Sequence, residues 1–222
     1  MNIEQARFNM VEQQIRPWNL EDQDVLNLLF VVKRESFAPT NLRALAFADT
    51  ELPLEGATDR DYRPAMLAPR MEARILQALA MKRREKVLEV GAGSGYMAAL
   101  LAAHAERVWS IEIDAGLAEV ARANLRRSGI ENVTVETGNG LEGLPTQAPF
   151  DVIVLSGAVA EVPHVLLSQL KSGGRMLAFV GEAPSIEMQS ITRDGDKYTI
   201  KNLMETEVEP LRHAGSTARF SF

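Results

Sequence analysis

Val87-Leu88-Glu89-Val90-Gly91-Ala92-Gly93-Ser94-Gly95-Tyr96 decides how the rest of the chain is read. A short apolar strand runs into a turn holding three glycines, and a helix-forming run, 97–104, follows at once. Glycine in such a turn admits positive φ and lets a ligand approach the backbone with no Cβ between them. The helix that begins there offers unpaired N–H groups and the positive end of its dipole. A dinucleotide fingerprint places glycine at the first, third and sixth positions. Here glycines stand first, third and fifth, and Tyr96 stands sixth. Glu89, at the end of the strand, would repel a pyrophosphate but suits the ammonium of an amino-acid moiety. Glu112 ends the next apolar run, Val108-Trp109-Ser110-Ile111, where a carboxylate can accept both hydroxyls of a ribose.

Outward from this centre the pattern alternates. Strands are predicted at 87–90, 108–112, 133–136, 150–155 and 175–180, with amphipathic helices at 117–125 and 162–170. Strand–helix alternation with continuous apolar strands implies an α/β fold whose parallel sheet is covered on both faces. Pro69 suits the first turn of a further helix with Met71, Ile75, Leu76 and Leu79 facing inward. Asp114 is the expected N-cap of the helix from Ala115 to Leu125. Asp194-Gly195-Asp196 is a hairpin turn between 188–193 and 198–203. At the other end, Ile3, Ala6, Met10, Val11 and Ile15 recur at helical spacing until Pro17. Asn19 is expected to cap a second helix, with Val25, Leu26, Leu28, Leu29 and Val32 on its apolar face. Residues 34–68 lack periodicity and hold Pro39, Pro53, Gly56 and Pro64. So long an irregular stretch is either functional or conceals elements the pattern does not show. The expectation is one domain, 1–222, with helices and an active-site loop in 1–68 and an α/β core in 69–222.

Composition narrows the function. With 222 residues, 46% of them apolar and 24% charged, the chain can bury the core of one substantial globular domain. A net charge of -6 argues against a nucleic-acid partner. The run Lys82-Arg83-Arg84 reads as a solvated loop. The absence of cysteine excludes disulfides, thiolate zinc sites and thiol nucleophiles, and no metal site is expected. The first seven residues lack the basic start and apolar core of a secretory signal. No stretch approaches the ~20 apolar residues of a membrane span. A cytoplasmic protein without a membrane partner is expected, as a monomer or a homodimer.

The glycine turn with its two acids resembles the cofactor site of S-adenosylmethionine-dependent methyltransferases. The chain as a whole resembles the protein-L-isoaspartate O-methyltransferase family. The likeness is carried by Met10-Val11-Glu12-Gln13-Gln14-Ile15, Arg34-Glu35-Ser36-Phe37-Ala38-Pro39, Leu52-Pro53-Leu54 and the glycine turn itself. It continues through Glu112, Gly138-Asn139-Gly140, Phe150-Asp151-Val152-Ile153-Val154, Ser172-Gly173-Gly174 and Glu209-Pro210-Leu211. The resemblance implies a Rossmann-like fold: a seven-stranded, mostly parallel sheet with an antiparallel edge hairpin and N-terminal helices. It implies S-adenosyl-L-methionine as cofactor, held by Glu89, Gly91, Ala92, Gly93, Gly95, Glu112, Ile113, Asn139 and Gly140. The implied reaction is methyl esterification of isoaspartyl or D-aspartyl carboxylates in damaged protein.

The chain departs from the family at two places. Asn139 replaces the aspartate of a Gly-Asp-Gly turn that accepts from the adenine amino group, and it keeps an acceptor oxygen. More consequentially, the family's Gly-Gln-Thr-Ile-Ser-x-Pro loop is matched by Pro64-Ala65-Met66-Leu67-Ala68-Pro69, which puts Leu67 where the serine hydroxyl would be. The segment from Pro53 to Pro69 is also six residues longer than in the family pattern, which spaces those prolines ten apart. No catalytic residue is therefore assigned. Thr58 and Asp61, with Asp59 and Tyr62, are the polar groups of the inserted loop that are candidates to replace the serine, against a plain reading as an exposed loop tip. A carboxylate acceptor is already ionised at pH 7 and needs no general base. His104, at a helix end, and His213, in the tail, read as structural; His164 reads as a polar first-turn residue near the ligand-binding edge of the sheet. Trp18 and Trp109 read as core or packing aromatics. Two competing functions stay open: transfer to another carboxylate or a small-molecule hydroxyl, and a cofactor-binding module without turnover.

Overall fold

Two capping side chains start the N-terminal helices. Asn2 accepts the N–H of Gln5 and opens α1 (Ile3–Asn9). The run continues as a π-helical turn, Met10–Ile15, and tightens into a 3-10 turn, Arg16–Trp18, at Pro17. Asp22 accepts the N–H groups of Asp24 and Val25 and caps α2 (Gln23–Val31). Asn19, the expected cap, instead adopts left-handed φ 58 and closes the preceding turn, a conformation asparagine tolerates. Val32 lies just beyond the helix in extended conformation. The computed structural model describes residues 2–59 and 61–214.

The aperiodic stretch does conceal elements. Arg34–Ser36 and Thr40–Phe47 form 3-10 turns, and two-residue strands β1 (Leu52–Pro53) and β2 (Ala65–Met66) pair antiparallel. Residues 54–64 are thus an excursion from a short hairpin. Its base is fixed by Arg34, which is buried. Arg34 donates to the carbonyls of Ala46 (3.0 Å) and Leu67 (2.8 Å) and pairs with Glu72 at 3.3 Å. Glu72 is pushed up to about 8 by burial, with Arg34 pulling the other way.

Glu72 belongs to α3 (Pro69–Leu79), which leads into the sheet. There follow β3 (Glu85–Val90), α4 (Tyr96–Ala102), β4 (Ala105–Glu112), α5 (Ala115–Arg127), β5 (Val133–Thr137) and β6 (Phe150–Val159). Then come α6 (His164–Ser168), β7 (Leu170–Glu182), β8 (Ser185–Asp194) and β9 (Lys197–Thr206). The seven strands run in the order β5-β4-β3-β6-β7-β8-β9. The first five are parallel, and β8 and β9 complete the sheet antiparallel. Chain order reverses between β3 and β6, and ligands of open α/β sheets bind in the crevice beyond the strand ends at such a point. Val87 packs into one core cluster while Leu88 and Val90 pack into the other, so both faces are covered. Met10, Val11 and Leu26 of the N-terminal region share a cluster with Leu100 and Leu101 of α4.

Every expected strand is present and longer than its apolar run. The 162–170 helix contracts to five residues because Leu170 pairs with Phe150 and begins β7. The helix after the glycine turn ends at Ala102, leaving His104 beyond it. Trp18 is no core residue: it is 53% exposed, and the Arg70 guanidinium lies 4.0 Å above its ring. Trp109 packs edge-on against Phe150, as expected. Replacing Arg34 with methionine strands Glu72 and three backbone carbonyls, and should cost about 3–5 kcal/mol in urea unfolding. A loss under about 1 kcal/mol would show that Arg34 is no keystone.

Candidate functional site

At the carboxyl end of β3 the chain turns through Gly91 (φ 93), Gly93 (φ 52) and Gly95 (φ 83), all conformations that side chains resist. Gly95 caps α4. Glu112, at the end of β4, holds this turn in place: its Oε2 accepts the Gly93 N–H at 2.8 Å and its Oε1 the Asp114 N–H at 3.1 Å. Burial pushes the Glu112 carboxyl up, opposed by the N–H groups of Gly93, Asp114 and Ile113. Of these three, the Gly93 and Asp114 N–H groups are in hydrogen-bond geometry; a carboxylate has roughly four acceptor positions, so two remain for hydroxyls. Gly91, Gly93, Glu112 and Ser156 line a recess of about 460 Å³ from the sheet side, and Tyr62 and Arg212 line it from the loop and tail.

The other expected contacts are placed less directly. Glu89 is fully buried and is not among the residues lining the recess. Ser156, which is, donates to it at 3.0 Å, and Ser110 donates from the neighbouring strand. Burial pushes Glu89 up to about 8, against the pull of the two hydroxyls and with Glu112 adding to the rise. Ala92 is buried within the turn. Asn139 caps the 3-10 turn Gly140–Glu142: its Oδ1 accepts the Leu141 N–H and its Nδ2 donates to Glu142. Asn139 and Gly140 follow β5, outside the lining of this recess.

The inserted loop is tied down by Asp114. That carboxylate caps α5 by accepting from Gly116 and Leu117, and it also accepts the N–H and hydroxyl of Thr58 (2.6 Å for the hydroxyl). Against the upward pull of burial, these bonds hold Asp114 down at about 2. Thr58 is therefore a tether whose hydroxyl is already committed to Asp114. Asp61 lies on the recess rim, its N–H donating to Asp59. Asp59 pairs with Arg212 at 2.6 Å, and the Arg212 guanidinium stands 5.3 Å from the Tyr62 ring. Burial, with Glu112 nearby, pushes the Tyr62 hydroxyl up to about 12, so it remains a donor. Leu67 is buried in the core and offers only its carbonyl, which Arg34 takes.

The tail passes over the turn as a strap: Ala158 N–H donates to Glu209, and Leu211 N–H to Ala158. A Cβ on Gly91 would stand 2.9 Å from Leu211, so the glycine is what lets the strap approach. His213 lines a separate recess of about 990 Å³ with Glu51, Glu207 and Glu209, and neither His104 nor His164 lines either recess. Among the described residues, no group of three histidine or acidic side chains is placed to hold a metal ion. Sequence reasoning missed Ser156 and Arg212. A lone serine in the apolar run of β6 was a readable signal; Arg212 gave none.

Sheet order, glycine turn and acid-tipped β4 together define a Rossmann-like methyltransferase architecture. A solved protein-L-isoaspartate O-methyltransferase shares the fold with a TM-score of 0.81 at 24% identity, over 94% of this chain and 65% of its own. A Plasmodium falciparum chain in complex with S-adenosyl-L-homocysteine does so with a TM-score of 0.78 at 19% identity, over 96% and 99%. The Koribacter versatilis protein-L-isoaspartate O-methyltransferase is 41% identical over 188 residues, 84% of this chain and 81% of that one. The family model for protein-L-isoaspartate(D-aspartate) O-methyltransferase matches residues 5–214, and the chain belongs to that family.

Two predictions test this geometry. Glu89 ionises near 4.5 in an unfolded chain and near 8 in the fold. Its neutral form stabilises the fold; the contribution is full below pH 4.5 and is lost as pH rises through about 8. The melting temperature of Glu89→Gln should thus fall less steeply from pH 5 to 9 than that of the unsubstituted protein; equal slopes would contradict the burial argument. A Cβ on Gly116 would lie 2.0 Å from the Gly56 carbonyl oxygen. Gly116→Ala should detach the inserted loop and speed its limited proteolysis about tenfold, on the 1–3 kcal/mol typical of overpacking. An unchanged cleavage rate would rule out the docking of the loop on α5.

Proposed function

We propose that the protein is an S-adenosyl-L-methionine-dependent O-methyltransferase that esterifies isoaspartyl and D-aspartyl carboxylates in protein chains. The observation that carries this reading is Glu112, whose carboxylate is locked to the glycine turn with two acceptor positions left for a ribose diol. The residues fit the cofactor. Gly91 and Gly93 provide a Cβ-free approach for the amino-acid end, Glu89 acts on its ammonium through Ser156, and the family resemblance gives Asn139 and Gly140, which follow β5, to the base. When bound, the cofactor supplies a methyl group on a sulfonium, a good leaving group for in-line displacement.

The protein's own part is alignment and exclusion of water. Glu112 fixes the nucleoside, and the strap with Leu211 and the loop with Tyr62 enclose the reacting end. Tyr62, held protonated, can donate to the acceptor, and no side chain has to remove a proton from an ionised carboxylate. A protein acceptor supports a cytoplasmic site of action, with residues 1–222 working as one unit. No helix among the described residues is long and apolar enough to cross a membrane. One observation favours a second reading, transfer to a different carboxylate: Leu67 offers no hydroxyl, and that of Thr58 is committed to Asp114.

Incubation with an isoaspartyl peptide and methyl-labelled cofactor should yield a base-labile methyl ester on the peptide. Label in a mixture of small carboxylic acids but not in the peptide would move the acceptor to the second reading; label in neither would overturn both. Gly93→Val forces a branched side chain into φ 52 with Leu54 only 3.2 Å from its Cβ. It should weaken cofactor binding by roughly a hundredfold or more, as two strained terms of 1–3 kcal/mol imply. Binding within threefold of the unsubstituted protein would displace the site.

A further inference from the structure

With no hydroxyl at position 67, Tyr62 offers the acceptor's carboxylate a neutral donor, but the recess is rimmed by acids. Asp59, Asp61, Glu112 and Glu209 all line it. An anionic acceptor entering such a site needs a cation to offset them, and among the described residues Arg63 and Arg212 are the cations that line it. Arg212 holds a carboxylate: Asp59 Oδ2 meets its Nη2 at 2.6 Å. Arg212 comes from the strap and Asp59 from the inserted loop, so the pair forms only in the folded site. Both side chains are about a third exposed, at 31% and 36%. An exposed pair of this kind contributes little and exchanges readily.

The backbone beneath Arg212 is fixed. Leu211 N–H donates to Ala158 at the end of β6, and Ala214 N–H donates back to Leu211. The Tyr62 ring, 5.3 Å away, supports the planar guanidinium, whose fork of donors matches a carboxylate. We propose that Arg212 receives the acceptor's carboxylate, replacing the hydroxyl absent at position 67, and that Asp59 holds the guanidinium in place until the acceptor displaces it. The inserted loop and the strap together are then the acceptor-recognition device of this chain. The inference rests on the methyl-ester reading above. A carboxylate could also come from the methionyl end of the cofactor, and the test separates the two sources.

The unsubstituted protein, Arg212→Gln, Arg212→Lys and Asp59→Asn are compared by KM and kcat on an isoaspartyl peptide. The affinity of each for S-adenosyl-L-homocysteine is measured by calorimetry. Arg212→Gln should raise the peptide KM roughly ten- to a hundredfold, the range for losing a charge-assisted bond, with cofactor affinity within about threefold. Arg212→Lys should recover part of the loss, and Asp59→Asn, which removes the competing carboxylate, should lower KM. An unchanged KM in Arg212→Gln, with peptide ester still formed, overturns the Arg212 assignment alone. A matching loss of cofactor affinity also overturns it and gives Arg212 to the methionyl carboxylate. Absence of peptide ester in the unsubstituted protein overturns the methyl-ester reading and, with it, this assignment.

Discussion

The Glu112 carboxylate accepts the N–H of Gly93 with one oxygen and that of Asp114 with the other. Through the first bond the glycine turn after β3 is held to the end of β4; through the second, the start of α5 is held to the same point. Asp114 extends the tie, because the carboxylate that caps α5 also fastens Thr58 and with it the inserted loop. Three separate segments are thus positioned by two acids, Glu112 and Asp114, two positions apart. The acids stay in place because each buried oxygen has donors, which is the condition for burying a charge at tolerable cost.

Around this tie, the acceptor side of the site is assembled from both ends of the chain. Arg34 secures the base of the excursion by gathering the carbonyls of Ala46 and Leu67 with the Glu72 carboxylate. The strap lies along the end of β6, where Gly91 and Gly157 leave space for Leu211. The sheet consequently supplies a cofactor floor of the family's kind. The loop and strap supply a cover whose polar groups are Asp59 and Tyr62 from the inserted loop and Arg212 from the strap. Conserving the floor while changing the cover is how one fold serves several acceptors.

What the sequence revealed follows the range of the interactions. The glycine turn, the alternating strands, the Asp114 cap and the terminal position of Glu112 are local patterns, and all were readable. Ambiguity arose where one pattern served two outcomes. Asn19 and Asp22 are both capping residues, and backbone conformation selected Asp22. Leu170 suited a helix face as well as a strand, and pairing with Phe150 decided for the strand. Glu89 was readable as an acid at the end of a strand, but its enclosure between Ser110 and Ser156 depends on two neighbouring strands. The ties between Thr58 and Asp114 and between Asp59 and Arg212 join residues 56 and 153 positions apart, beyond any periodicity.

The central claim is that Glu112 both locks the glycine turn and grips the nucleoside. Calorimetric titration of folded Glu112→Gln with S-adenosyl-L-homocysteine tests it most directly. An amide in that place offers one acceptor oxygen instead of two and sets its own N–H₂ against the Gly93 or Asp114 donor. Affinity should fall about ten- to a hundredfold relative to the unsubstituted protein, on the 1.5–3 kcal/mol attached to hydrogen bonds with charged groups. Undiminished affinity in the variant, or no heat of binding with the unsubstituted protein, would contradict the account.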